Sequence, residues 1–148
     1  MINSRILLDT SILIEYIKND KVKLLDSLMD DPTVSCYITE TIISEFYFHF
    51  SKVSTGRAPA TLKSLAKIKE VFETNNNYFL INVFEFLATD RTLINQVPIY
   101  MKKYNLLPND AIILATCKLH GITQLASHDS DFIIPCQAEG IELLREEE

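Results

Sequence analysis

The chain has 148 residues, 47% of them hydrophobic and 23% charged, so one domain over residues 1–148 with a sizeable core is expected, and disorder only near the acidic tip Glu146, Glu147 and Glu148. Twenty acids against 14 bases leave a net charge of -6, which excludes coating of nucleic acid by overall charge and demands a local basic patch for any such contact. The only glycines, Gly56, Gly121 and Gly140, are too far apart for a GxGxxG turn or a Walker loop, so nucleotide cradles of those kinds are excluded as well.

In chain order, the apolar run 5–8 reads as a first strand, followed by helical patterns over 11–17 and 22–29. Asp31-Pro32 breaks the chain before a second strand at 33–38. A helix over 40–53 comes next, and Gly56 to Pro59 separates it from another over 60–73. Residues 77–83 are a weaker strand candidate, and 84–104 carry a helical pattern interrupted by Pro98. Pro108 opens a helix over 108–120 that Gly121 closes, and 123–126 are the last expected strand. Strands alternating with helices imply an α/β domain with a mainly parallel sheet of four to five strands.

The apolar amino-terminal stretch is broken by Arg5, Asp9 and Glu15 well short of a membrane span of about 20 residues. Cys36, Cys117 and Cys136 are odd in number and show no CxxC spacing, which fits neither a disulfide framework nor a four-ligand zinc site. The expectation is a soluble, unexported, cytoplasmic protein with reduced thiols.

In right-handed crossovers the helices that follow strands begin near the carboxyl edge of the sheet, where sites form. Asp9 directly follows the first expected strand, Glu45 lies in the second turn of the helix after the second, Asp110 sits in the first turn of the helix opened by Pro108, and Asp129 follows the last. Taken singly, Asp9 and Asp110 are also explained as residues at helix starts, and Glu45 as the solvated rim of an apolar arc formed by Ile42, Phe46, Phe50 and Val53. Four converging acids, however, must have their repulsion relieved by protonation or by cations. Carboxylate oxygens without Cys or His clusters suit Mg2+ or Mn2+, and such ions support phosphodiester hydrolysis.

The residues around these acids resemble the PIN-domain ribonucleases, in particular the toxins of VapBC-type toxin-antitoxin pairs, over nearly the whole chain. Leu7-Leu8-Asp9-Thr10-Ser11 is similar to the family's first motif and Thr41-Ile42-Ile43-Ser44-Glu45 to its second. Leu107 through Ala115, with Asn109-Asp110, looks like the third, and Leu125-Ala126-Ser127-His128-Asp129-Ser130-Asp131-Phe132 like the fourth. The resemblance implies a Rossmann-like PIN domain and Mg2+ or Mn2+ held by Asp9, Glu45, Asp110 and Asp129, with help from Asp131. It further implies cleavage of RNA, a possible antitoxin partner and a homodimer. Thr10, Ser11 and Ser127 would be hydroxyl partners of ligands or phosphate, or ordinary helix caps. The chain departs from many family members in having Ser127 where threonine is common and Ser130 where a basic residue often lies.

The best basic patch runs from Ser51 to Lys69, where Lys52, Arg57, Lys63, Lys67 and Lys69 meet no acid. Lys52 and Arg57 are its expected RNA contacts, with a solvated helix face as the alternative. His49 and His128 adjoin the acids, as polar surface or as substrate contacts. Phe46, Tyr47, Phe48 and Phe50 surround most of one helix, more than its own core should bury, so part of the set is expected in a dimer or antitoxin contact or against a second layer. A PIN-like module that binds RNA or protein without cutting is the competing function. A phosphatase or receiver with Asp9 as nucleophile fits less well, because Ser11 stands where the haloacid-dehalogenase pattern wants a second Asp.

Overall fold

The computed structural model describes residues 4–146, and Glu147 and Glu148 of the expected acidic tip lie outside them. The chain runs through β1 (Ser4–Leu8), α1 (Thr10–Ile17), α2 (Lys23–Asp30), β2 (Val34–Ile38), α3 (Glu40–Thr55), α4 (Pro59–Ser64) and α5 (Ile68–Thr74). After a 3-10 segment at Asn77–Val83 come β3 (Glu85–Phe86), α6 (Leu93–Tyr104), α7 (Pro108–His120) and β4 (Gln124–Ala126). A short 3-10 turn, Ser130–Phe132, leads to α8 (Ile133–Glu139) and β5 (Glu142–Leu144). Among the described residues, five parallel strands form one sheet in the order β3-β2-β1-β4-β5. This is the expected Rossmann-like α/β architecture, with β1 central and the order reversing on its β4 side.

The hydrophobic pattern explains why β1 occupies the middle. Its Ile6, Leu7 and Leu8 are buried consecutively rather than alternately, as a strand covered on both faces by helices requires. Those faces are covered by Ile12 and Leu13 of α1, Ile42, Phe46 and Phe50 of α3, and Ala111, Ile113, Leu114 and Cys117 of α7, all buried. Cys117 is therefore core, as its helical spacing predicts. No helix among the described residues is long and apolar enough to cross a membrane.

Three expected elements differ. Residues 77–83 form 3-10 turns, not a strand: Tyr78 and Ile81, three apart, pack toward the core while Phe79 is exposed, the every-third-residue periodicity of that helix. The strand that joins β2 is the two-residue β3 that follows. The helix expected over 60–73 is split into α4 and α5, because Ala66 adopts a left-handed φ of 54°. The pattern over 84–104 becomes helical only at Leu93, after Asp90 has accepted the Thr92 N–H, and α6 then runs through Pro98. The acidic tip begins as a structural contact, since the Glu146 carboxylate accepts the Leu24 N–H at the start of α2 (2.8 Å).

Candidate functional site

Asp9 and Ser127 are brought together by strand register. Leu8 is paired with Ala126, and the Asp9 N–H donates to the Ala126 carbonyl at 2.9 Å, carrying the β1–β4 ladder one residue beyond the strands. The two side chains therefore leave the sheet side by side. Asp9 stands at the N-cap position of α1, yet its side chain makes no cap bond. It accepts instead from two hydroxyls, Ser127 Oγ at 2.6 Å and Ser11 Oγ at 2.9 Å, both on Oδ2. Each hydroxyl also accepts one backbone N–H: Ser11 from His128 (2.9 Å) and Ser127 from Asp129 (3.0 Å). With its single proton given to Asp9, neither serine has one left for the other, although their oxygens lie 3.3 Å apart. Asp9 is buried and Ser127 completely so.

The remaining acids arrive on helix starts. The Thr39 hydroxyl caps α3 by accepting the Ile42 N–H at 3.5 Å, which sets the phase that turns Ile42 and Phe46 into the core and leaves Glu45 half-buried at its border. Pro108 opens α7 with its φ preset, placing Asp110 in the first turn. Asp129 caps the Ser130–Phe132 turn by accepting the Asp131 N–H at 2.9 Å.

Asp9, Glu45, Asp110 and Asp129 line one cavity of about 260 Å³ together with Thr10, Ser11, Glu15 and His49. No lysine or arginine is among its lining residues. Burial pushes the Glu45 carboxyl up to about 7, with further push from Asp9 and Asp110. Burial also raises Asp110 to about 6, reinforced by Asp129, Asp9 and Asp131. The acids therefore feel one another, as four carboxylates sharing a desolvated cleft must. Ligand oxygens of Asp110, Asp129 and Asp131 lie within 4.8 Å of one another. Asp131 itself is exposed and lines a neighbouring groove rather than the acid cavity. The donor set is oxygen throughout, and Glu45 Oε1 is buried with no hydrogen-bond partner, an arrangement that fits a hard divalent cation.

Ser11 and Ser127, expected as hydroxyl partners of ligand or phosphate or as ordinary helix caps, both donate to Asp9 Oδ2. Ser127 is fully buried and is not among the residues lining the cavity. Thr10 differs: it lines the cavity with its Oγ1 buried and unbonded. Lys52 and Arg57 are exposed and outside the acid cavity, with Arg57 lining a separate cleft of about 250 Å³ beside Lys67. His49 reaches the cavity, whereas both ring nitrogens of His128 are buried without partners, and burial, then Lys21, lowers its pKa. Glu15 is a fifth carboxylate in the cavity that sequence reasoning did not single out. Its signal was the four-residue spacing from Ser11, which puts both on one face of α1.

Comparison with known proteins gives consistent matches. The PIN domain family matches residues 6–135. Ribonuclease VapC6 of Methanocaldococcus jannaschii is 33% identical, the alignment covering 97% of this chain and 98% of that protein. Ribonuclease VapC2 of the same organism is 28% identical, with 89% of each covered. Among solved structures, DNA-bound VapBC from Salmonella typhimurium has a similar fold, with a TM-score of 0.66 at 15% identity over 97% of this chain and 98% of that one.

Proposed function

Because this chain belongs to the PIN-domain family, we propose that it is a divalent-metal-dependent endoribonuclease, the toxin of a VapBC-type pair or a stand-alone PIN nuclease, acting as one domain over residues 1–148. The observation that carries the reading is the convergence of Asp9, Glu45, Asp110 and Asp129 on one cavity. Their sequence separation leaves tertiary structure as the only source of that repulsion, and carboxylates are kept together at such cost mainly where charge has work to do.

Asp9, Glu45, Asp110 and Asp129 would hold Mg2+ or Mn2+, with Asp131 contributing from the cavity's edge. Such a cation, when bound, offsets the charge of the phosphodiester and lowers the pKa of water for attack. The protein supplies position. Ser11 and Ser127 fix Asp9 Oδ2, so that this carboxylate keeps one orientation whatever approaches it. Glu45 and Asp110, whose carboxyls are raised to about 7 and about 6 in the bare cluster, would be drawn to the ionised form by bound positive charge. Thr10 offers the hydroxyl not already spent. Lys52 and Arg57 attract RNA phosphates from outside the cavity, a role favoured by their exposure and their lack of ion-pair partners among the described residues.

A homodimer and an antitoxin protein are the partners this reading assigns. Phe46 and Phe50 are buried, but Phe48 on the same helix is 55% exposed, and it is the aromatic such contacts would cover. The three free cysteines are consistent with a cytoplasmic location.

The test is cleavage of an end-labelled, mixed-sequence RNA pool with Mg2+, Mn2+ or EDTA, beside Asp110→Asn as a control for contaminating nuclease. Products that require the metal and disappear with the substitution are expected. RNA binding that survives EDTA without any products would return the protein to the class of binding modules.

A further inference from the structure

Beside the acid cluster lies a second, larger groove of about 580 Å³ between the end of α6 and the turn that carries Asp131, with Lys102, Asn105, Ser130, Asp131 and Ile134 among its lining residues. We propose that this groove is a nucleotide subsite: it seats an RNA nucleotide flanking the scissile bond, with Lys102 on its phosphate, Asn105 at the base edge and Ile134 against the base face. The assignment rests on the ribonuclease reading and adds to it the side of the cavity along which the strand runs.

Three observations carry it. Asp131 belongs to both places: its carboxylate is within 4.8 Å of ligand oxygens of Asp110 and Asp129, and it forms part of the groove wall. A polymer reacting at the cluster must place its next residue against some surface, and this groove begins where the cluster ends. Its volume falls within the range of small-molecule sites, about 300–1,000 Å³.

The charge available is selective. Glu139 takes up two of the nearby cations, Lys103 at 2.9 Å and Lys118 at 3.8 Å. Lys102 has no ion-pair partner among the described residues, so it is the groove's free positive charge. In a protein of net charge -6, an unpaired lysine in the groove is a local positive charge that a phosphate can meet there.

The groove also has the two surfaces a base needs. Asn105 is held in the left-handed region at φ 55° by the turn after α6, and its side-chain amide makes no hydrogen bond among the described residues. A primary amide presents both a donor and an acceptor to a base edge. Ile134 is 72% exposed while its neighbour in the groove, Pro135, is buried. An isolated exposed isoleucine is ordinary, but one set in a polar groove beside a free lysine provides the apolar contact for a base face.

The experiment uses the full chain in two forms. In the Asp110→Asn background, where RNA should stay uncut, binding of a 5′-labelled, mixed-sequence single-stranded RNA pool is followed by fluorescence anisotropy as salt is varied. Lys102→Ala should weaken binding about 5-fold at 0.15 M salt and reduce the log-log salt slope by about 0.7, the value for one phosphate contact on a single strand. Ile134→Ser should weaken binding about 3-fold with the slope unchanged, and Ile134→Leu should restore it. Lys23→Ala, at an exposed lysine of α2, should change neither.

In the otherwise wild-type chain, Lys102→Ala and Ile134→Ser should raise KM and leave kcat within about 2-fold, with unchanged melting temperature. Cleavage with normal KM and normal binding in both variants would overturn the subsite and leave the nuclease reading standing. Weakened binding in both, with no cleavage by the wild-type chain, would uphold the seat and overturn the nuclease. Absence of RNA binding in the Asp110→Asn chain would overturn the subsite, with wild-type cleavage deciding the nuclease question independently.

Discussion

At the carboxyl ends of β1 and β4, five carboxylates line one small cavity, and the deepest of them is tied by two hydroxyls to a loop more than a hundred residues away. Along the end of α3 and on α4 and the turn to α5, Lys52, Arg57, Lys63 and Lys67 stand exposed with no ion pair among the described residues. The first region keeps like charges together partly shielded from water and needs a rigid framework to do so. The second leaves its charges fully hydrated and needs almost none. The acid cavity should therefore respond sharply to single substitutions and to pH, whereas the basic face should respond weakly to any one change and strongly to salt.

The sharpest break is expected from removing a carboxylate charge. Asp9→Asn or Asp110→Asn should lower metal-dependent RNA cleavage on the order of 100- to 1,000-fold with little change in circular dichroism. Retained activity in both would detach the cavity from the chemistry.

Ser127→Ala comes next. It leaves the Asp9 carboxylate in place but removes the 2.6 Å bond that orients it and the acceptor for the Asp129 N–H. A loss of about 10- to 100-fold in metal affinity or activity is expected, measured by titrating Mn2+ into the cleavage assay. Ser11→Ala should act in the same direction, and because both serines bind one oxygen the double variant should lose less than the product of the two.

A third prediction concerns stability without metal. Glu45 and Asp110 bind protons more tightly in the folded chain than in the unfolded one, their values rising from 4.5 to about 7 and from 3.8 to about 6. The stability they confer is therefore full below about pH 4 and is lost as pH rises to about 7. Both groups are only half-buried, so solvent screening reduces the effect, and a decline of about 1–2 kcal/mol in chelator between pH 5 and pH 8 is expected in urea unfolding. Glu45→Gln should flatten that decline, and Mn2+ should reverse it. A stability that rises over the same interval would contradict the electrostatic account.

The smallest effects belong to the basic face. Arg57→Ala and Lys67→Ala, which flank one cleft, should each reduce the salt slope of RNA binding by about 0.7 and weaken binding only a few-fold near 0.15 M salt. A slope unaltered by the pair would mark the face as ordinary solvated surface.

Much of this was legible in the residues. The alternation of short apolar runs with helical patterns led to a parallel α/β sheet, and the consecutive burial of Ile6, Leu7 and Leu8 is the physical form of that pattern. The four acids could be placed at one sheet edge because each follows a strand or opens a helix, and Pro108 and Gly121 mark their helix in the chain itself. Element boundaries were less legible where no local signal exists. No glycine or proline announces the left-handed Ala66 that divides α4 from α5, and the two residues of β3 are too few to carry a period.

What the sequence determined by itself was therefore the class of fold, the identity of the converging acids and the oxygen-only chemistry they offer. Tertiary structure alone decided what each polar neighbour does. Ser127 and Asp9 are 118 positions apart, and their bond follows from the register that pairs Leu8 with Ala126. Likewise, Asp131 joins the acid cluster to the Lys102 groove only because the turn after β4 lies against the end of α6. Periodicity and capping are properties of adjacent residues and can be read along the chain, but a hydrogen bond between distant strands depends on how the whole core packs.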